Sequence, residues 1–140
     1  MLCKEIMTPN PEYVLLSDPV MKAAKLMKSE DVGPIPIVDD KDGKRLAGIV
    51  TDRDLAIKVV AEARDPRTTA VKEVMTDDLV TCKENEDVRQ ALKLMQENQV
   101  RRIPVVDGSD QLLGIISQAD VATRLGNDRA TGQVVEDISH

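Results

Sequence analysis

The stretch GIVTDRD at residues 48–54 decides the fold, because it returns as GIISQAD at residues 114–120. Both copies keep a glycine, a hydroxyl residue and an aspartate at the same spacing. Taken alone, either copy is typical of a helix start, where the hydroxyl caps the first turn and the aspartate bonds back to it. Free N–H groups at such a start also favour an anion. The motif therefore leaves two interpretations open, a helix cap and a ligand site.

Most of the chain before this motif is repeated as well. Three pairs of segments recur at an offset of 68 residues: 4–8 and 72–76, 20–27 and 88–95, and 31–39 and 99–107. The quoted motif recurs at an offset of 66, so the polar turn before it is two residues shorter in the second copy, and turns tolerate such changes. The shared register indicates an internal duplication.

Each copy predicts the order strand, helix, strand, strand, helix. The first helix is an apolar stripe that follows a capping segment, Ser17-Asp18 in one copy and Asn85 in the other. Two short strands around a polar turn come next, and the second helix begins at the quoted motif. About 60 residues alone would bury little surface. We therefore expect an α/β (α+β) fold in which two β-α-β-β-α motifs, related by a pseudo-two-fold axis, pack through their sheets and leave two clefts between them.

The predicted boundaries follow from the repeat. Residues 1–66 form the first motif with its connecting helix, residues 67–126 form the second motif, and residues 127–140 form a weakly ordered C-terminal tail. Residues 55–70 are expected to prolong the helix and to link the two motifs. The methionines of the apolar stripes, Met27 and Met95, are expected to fill the core.

Composition argues against several classes of function. The net charge is −6 and Tyr13 is the only aromatic residue, so a nucleic acid is a poor partner. The only histidine is His140, which argues against histidine-based catalysis and metal sites. Cys3 and Cys82 form no C-x-x-C pair and are expected to be ordinary thiols in a reducing compartment. The chain has no apolar run of about 18 residues and no secretory signal, so a cytoplasmic location away from membranes is expected.

The repeated segments resemble a pair of cystathionine β-synthase (CBS) motifs, the Bateman module, over residues 3–125. The resemblance rests on the twin K-E-[IV]-M-T starts, the two I-P-[IV]-V-D strands and the paired G-h-h-[TS]-x-x-D motifs. The stretch VRRIPVVD at residues 100–107 is most similar to stand-alone bacterial modules of the hypoxic-response-protein kind. The resemblance implies that an adenosine-containing ligand (AMP, ADP, ATP, NAD or S-adenosylmethionine) binds in the clefts, with no required cofactor and no metal.

The resemblance also implies the role of individual residues. It assigns the ribose hydroxyls to Asp54 and Asp120, and phosphate to Thr51 and Ser117. A carboxylate suits a cis-diol, since hydrogen bonds to a charged group contribute about 1.5–3 kcal/mol each. Within a strand, Gly48 and Gly114 cost stability unless a backbone or a ligand must come close, which adds weight to a ligand role.

Further candidates flank these positions. Arg101 and Arg102 are phosphate candidates by the resemblance, and alternation along the chain would send one side chain into each cleft; alternatively they are solvated arginines. The first copy has Gly33-Pro34 instead, which predicts clefts of unequal affinity. Arg53 is another phosphate candidate. The remaining ones are expected at the adenine slot or beside it, with edge-strand packing or turn hydroxyls as the alternative: Ile35, Pro36, Ile103, Pro104, Thr8 and Thr76.

Three functions remain to be compared. The first is a regulatory or energy-sensing module that binds an adenosine nucleotide. It signals by rearranging either a homodimer, which forms a disc of four motifs, or a complex with an effector protein. The second is a purely structural dimerisation module with empty clefts. An enzyme is the third, and it is disfavoured because no general base or nucleophile with a partner can be named. The retained Asp54, Asp120, Arg101 and Arg102 favour the first function.

Overall fold

The computed structural model describes residues 1–127, so the predicted tail lies outside the described residues apart from Asn127. Mixed helices and strands follow each other in the predicted order, which confirms the α+β class. The elements are α1 (Cys3–Ile6), β1 (Thr8–Pro9), β2 (Val14–Leu15), α2 (Val20–Glu30), β3 (Ile35–Val38), β4 (Leu46–Val50), α3 (Asp52–Leu55), β5 (Cys82–Lys83), α4 (Val88–Glu97), β6 (Arg102–Val106), β7 (Leu112–Ser117) and α5 (Gln118–Asn127).

The chain divides into two compact units. One comprises residues 12–79 and 109–112 and is called here the first-repeat unit, because it holds β2 to α3. The other comprises residues 1–11, 80–108 and 113 onward and is called the second-repeat unit, because it holds β5 to α5. Each is described by itself below.

The first-repeat unit is built on a three-stranded sheet in the order β2-β3-β4. The strand β3 pairs in parallel with β2 and antiparallel with β4. The predicted apolar stripe of α2 lies against the core, with Val20 and Ala23 buried and Met27 partly buried. After α3 the helix continues as a π-helical turn at Ala56–Val60, and turns and irregular segments occupy the rest of residues 55–70.

The second-repeat unit is built on a four-stranded sheet in the order β1-β7-β6-β5. Its core includes Met95, Ile103 and Ile116, all fully buried, so Met95 is the core filler that its spacing predicts. Cys3 and Cys82 are free, buried thiols of the same core. The Cys82 thiol donates a hydrogen bond to the Pro104 carbonyl at 3.8 Å, and the neighbouring Cys3 thiol together with burial raises the pKa of the Cys82 thiol. Their separation in the sequence had concealed this contact.

The predicted capping residues of the first helices are wrong in both copies. Helix α2 begins after Pro19 without a side-chain cap, and the Asp18 carboxylate instead accepts a hydrogen bond from the Leu15 N–H at 2.8 Å. Helix α4 is capped by Asp87, whose side chain accepts from the Arg89 N–H at 2.9 Å, and not by Asn85. Several polar residues precede each helix, and the local pattern alone does not select among them.

The compact units do not coincide with the repeats in the sequence. The first K-E-[IV]-M-T segment supplies β1, which pairs with β7 of the second repeat, with Thr8 opposite Ile115. The second segment bridges to β4 of the first repeat, where Thr76 and Ile49 exchange backbone hydrogen bonds of 2.8 and 2.9 Å. Each segment thus completes the sheet of the other repeat. The division at residues 66 and 67 marks the repeats in the sequence, whereas contacts join residues 1–11 to the second repeat.

Candidate functional site

The first copy of the repeated motif forms a complete capping box at the start of α3. The Thr51 hydroxyl oxygen accepts a hydrogen bond from the Asp54 N–H at 3.1 Å, and the Asp54 carboxylate accepts one from the Thr51 N–H at 2.9 Å. The Thr51 hydroxyl also donates to the same carboxylate oxygen, Oδ2, at 3.1 Å. The helix-cap interpretation is therefore confirmed for this copy.

The other carboxylate oxygen of Asp54 is occupied by a lysine. Lys58 Nζ lies 3.2 Å from Oδ1, and the same ammonium donates to the Val74 carbonyl at 3.0 Å. Both oxygens of Asp54 thus have partners inside the first-repeat unit. Lys58 is not among the residues predicted at the site, although an aspartate and a lysine four residues apart on a helix commonly pair.

The second copy forms only half of this box. The Ser117 hydroxyl oxygen accepts a hydrogen bond from the Asp120 N–H at 3.0 Å. Within residues 1–127 the carboxylate of Asp120 accepts no hydrogen bond and forms no ion pair. The residue is half-buried in the first turn of α5. Its two carboxylate oxygens therefore have no partner in the part of the chain that the structure describes.

Two arginines adjoin this second helix start. The Arg101 carbonyl accepts a hydrogen bond from the Gln118 N–H at 2.7 Å, which joins the segment before β6 to the first turn of α5. Arg101 is exposed, and Arg102 is half-buried as the first residue of β6. Guanidinium groups match the oxygens of a phosphate. The fold thus brings the arginine pair next to the turn that carries Ser117 and Asp120.

The equivalent place in the first-repeat unit carries a different charge. Gly33 and Pro34 replace the arginines, and a Cβ added to Gly33 would lie 3.1 Å from a carboxylate oxygen of Asp52. Arg53 is exposed and is the only predicted cation at this helix start. Two carboxylates, Asp52 and Asp54, therefore lie in this turn, whereas the second-repeat turn has one carboxylate and two neighbouring arginines.

The strand glycines are explained by close backbone contacts. A Cβ added to Gly114 would lie 2.8 Å from the Thr8 carbonyl oxygen, and one added to Gly48 would lie 3.0 Å from the Thr76 carbonyl oxygen. Glycine inside a strand permits such an approach. Thr8 and Thr76 themselves have exposed side chains, each in the segment beside the strand that leads into a helix start. The glycines consequently give no independent support for a ligand.

The residues predicted for the adenine slot are buried. Ile35 and Ile103 belong to the cores of their units, with 2% and 0% of their surface exposed. Pro36 and Pro104 follow them on β3 and β6, which are interior strands, so the alternative interpretation as edge strands is wrong. Each proline lies just before the residues that pair with a two-residue neighbour, β2 or β5, where the missing N–H is tolerated.

Two kinds of feature are absent from the described part of the chain. Residues 1–127 contain no group of three or more His, Cys, Asp or Glu side chains that could hold a metal ion. Over the same range, the structure has no helix with both the length and the apolar character needed to cross a membrane.

The chain contains two β-α-β-β-α motifs whose second helices begin with the same residue pattern. It is therefore a module built from two copies of one motif. The chain belongs to the CBS domain family, whose model matches residues 3–61 and again residues 71–127. This match confirms the tandem CBS motifs that the repeated segments predict.

Two bacterial relatives align with nearly the whole chain. The CBS domain-containing protein YhcV of Bacillus subtilis is 36% identical over 137 residues, which is 98% of this chain and 94% of that protein. Hypoxic response protein 1 of Mycobacterium tuberculosis is 36% identical over 122 residues, 87% of this chain and 83% of that protein. The predicted similarity to proteins of the hypoxic-response kind is thereby confirmed.

Two similar solved structures hold adenosine compounds. The CBS domain pair of protein MJ0100, in complex with 5′-methylthioadenosine and S-adenosyl-L-methionine, has a TM-score of 0.74 and 29% identity, and the match covers 91% of this chain and 98% of that one. CBSX2 in complex with AMP has a TM-score of 0.78 and 26% identity, over 91% of this chain and 98% of that one. Both share the fold described here.

Proposed function

We propose that the protein is a regulatory module that binds an adenosine-containing nucleotide at the start of α5. The Asp120 carboxylate accepts hydrogen bonds from the ribose hydroxyls, while Ser117, Arg101 and Arg102 contact the phosphate. The observation that carries the proposal is the Asp120 carboxylate, which has no partner within residues 1–127 although it is half-buried in a turn whose Gln118 N–H bonds to the Arg101 carbonyl. The adenosine ligands held by two proteins of the same fold support this chemistry.

The first-repeat unit offers a second, corresponding site in the proposal. Thr51, Asp54 and Arg53 take the same roles there. The remaining residues of the proposed sites lie on the neighbouring strand starts and segments: Ile35, Pro36, Ile103, Pro104, Thr8 and Thr76. Because the side chains of Ile35, Pro36, Ile103 and Pro104 are all buried, adenine contact in the proposal uses the backbone at these strand starts.

Adenosine ligands are expected to raise the thermal midpoint of the protein. A ligand at 100 times its dissociation constant stabilises the fold by about 2.7 kcal/mol. For a chain of this length that corresponds to a shift of about 10 °C. We would measure melting curves with AMP, ADP, ATP, NAD and S-adenosylmethionine, and with 2′-deoxy-AMP as the control for the ribose diol.

The outcomes of this panel separate the proposed functions. A shift with AMP that falls strongly with 2′-deoxy-AMP supports the ribose contact. The absence of any shift at millimolar concentration would contradict nucleotide binding and favour the second candidate, a structural dimerisation module with empty sites. The complete capping box around Asp54 is the observation that favours this second candidate, since it satisfies the carboxylate without a ligand.

Signalling in the proposal requires no chemistry on the ligand. The occupied site alters the geometry of a homodimer or of a complex with an effector protein in the cytoplasm, as an energy sensor would. No catalytic role is assigned to any residue, because Ser117 and Thr51 are used as caps and no described side chain activates them as nucleophiles. Unchanged AMP, recovered from the titrated protein, is the expected result.

A second copy of the chain is the proposed partner for an exposed apolar surface. Ile57 and Val60 lie one turn apart on the π-helical segment and are 46% and 75% exposed. Ala56 and Ala61, beside them, are exposed as well. Exposed apolar patches of this kind mark interaction sites. Helix-to-helix packing of this surface with its symmetry mate would bury both valines and both isoleucines.

Val60→Asp is expected to convert the dimer to a monomer. A charge at a buried interface position has no partner and costs several kcal/mol at both copies of a two-fold interface. Light scattering after gel filtration is expected to give twice 15.4 kDa for the wild type and 15.4 kDa for the variant. Val100→Asp is the matched control, since Val100 is 39% exposed in the segment between α4 and β6. Equal masses for the wild type and Val60→Asp would contradict this interface.

A further inference from the structure

We infer that Lys58 makes the two proposed nucleotide sites unequal, because it occupies the Asp54 carboxylate and so lowers the affinity of the first-repeat site. The inference rests on the proposed function. It assigns to Lys58 the role of a residue that sets which site fills first.

The position of Lys58 is determined by two acceptors. Its ammonium lies 3.2 Å from Asp54 Oδ1 and donates to the Val74 carbonyl at 3.0 Å. The first contact lies within one helical turn, and the second reaches the segment that continues to Thr76. An ammonium with two acceptors is held more firmly than one in a single ion pair of the i,i+4 kind.

Both oxygens of the carboxylate that a ribose would use therefore already have partners. Oδ2 of Asp54 accepts from the Thr51 N–H at 2.9 Å and from the Thr51 hydroxyl at 3.1 Å, and Oδ1 faces Lys58. A cis-diol that binds Asp54 must displace the ammonium from Oδ1 or share that oxygen with it. Burial strengthens this competition, since the Asp54 side chain is only 12% exposed.

The second-repeat unit lacks such a lysine. Arg124 stands at the position equivalent to Lys58, 66 residues later, and is exposed. No ion pair joins it to Asp120, and no hydrogen bond to the Asp120 carboxylate occurs within residues 1–127. Arg101 and Arg102 add positive charge on the phosphate side of this site alone. Both differences favour the second-repeat site, and only the first depends on Lys58.

Titration calorimetry with AMP on a background that isolates the weaker site tests the inference. Asp120→Ala weakens the second-repeat site about 10- to 100-fold, so that the first-repeat site can be measured. Adding Lys58→Met is expected to tighten AMP binding at that site about fivefold, the factor that an ion pair of about 1 kcal/mol represents. Lys58→Arg on the same background keeps a cation opposite Asp54 and is expected to leave the weak site unchanged.

The equivalent residue supplies the matched control. Arg124→Met, on the Asp120→Ala background, is expected to bind AMP like the parent, because Arg124 covers no carboxylate. A Lys58→Gln variant, which keeps a donor for the Val74 carbonyl, serves if Lys58→Met lowers the melting temperature. It is expected to tighten AMP binding in the same way.

Failure of the inference and failure of the proposed function give different results. If wild-type protein binds AMP but Lys58→Met and Lys58→Gln do not tighten the remaining site, the role of Lys58 is wrong and nucleotide binding stands. If Asp54→Ala, rather than Asp120→Ala, removes the tighter of the two sites, the order of affinities is reversed and the inference is overturned. Wild-type protein that binds no adenosine compound would overturn both.

Discussion

Gly114→Ala is expected to lower the free energy of unfolding by about 2–3 kcal/mol, the upper part of the range for overpacked positions. The new Cβ would lie 2.5 Å from Met7 Sδ and 2.8 Å from the Thr8 carbonyl oxygen. A methionine side chain can move aside, but the carbonyl belongs to the β1–β7 pairing, where Thr8 lies opposite Ile115. The chain can relieve this overlap only by moving β1 away from β7.

Urea denaturation of the two proteins measures this loss. Gly108→Ala is the matched control, since a Cβ at Gly108 has no neighbour within 4 Å, and a change below about 0.5 kcal/mol is expected there. Gly48→Ala is expected to fall between the two, because its Cβ would lie 3.0 Å from the Thr76 carbonyl and 2.7 Å from the movable Met75 Sδ. Equal midpoints for Gly114→Ala and Gly108→Ala would contradict the close approach of β1 to β7.

Asp120→Ala is expected to weaken AMP binding about 10- to 100-fold. Hydrogen bonds to a charged group contribute about 1.5–3 kcal/mol each. A cis-diol can donate both of its hydrogen bonds to a carboxylate whose oxygens have no other partner. The substitution is expected to leave the stability of the ligand-free protein nearly unchanged, because the Asp120 carboxylate has no partner within residues 1–127.

Asp54→Ala is expected to show the opposite pattern. It removes the capping box and leaves Lys58 without its carboxylate, at a cost of about 1–2 kcal/mol of stability. The affinity of the tighter AMP site is expected to change little. Calorimetry and thermal melting on both variants measure the two effects. Two variants with the same loss of affinity and the same melting temperature would contradict the different surroundings described for these aspartates.

Local patterns in the chain predict the elements well. The apolar stripe of α4 is buried, including Met95, and both copies have two short strands around a polar turn as predicted. Residue spacing is enough for this, since helical and strand periodicities are properties of a short window. Asp87 and Asp18 show the limit of that reasoning, because several polar residues compete for the same cap.

The sequence identifies the two repeated turns, but the partners of each aspartate come only from the structure. Thr51 and Asp54 carry the same motif as Ser117 and Asp120, so the sequence indicates two like sites. The atoms that surround each aspartate differ, and in the first copy Lys58 and Val74 complete a network that the motif does not contain. The ion pair of Asp54 with Lys58 was visible as a four-residue spacing. The contact to Val74, 16 residues away, was not.

The sequence by itself determined the duplication, the order of elements and the family, because all three depend only on the order and spacing of residues along the chain. Only the tertiary structure decided which sheet each K-E-[IV]-M-T segment joins, which thiols meet and which of the two motif aspartates has no partner within residues 1–127. The physical reason is that the two segments are nearly identical, so local preference is the same for either sheet. The choice depends on hydrogen bonds and packing between residues far apart in the chain, such as Thr8 with Ile115 and Thr76 with Ile49.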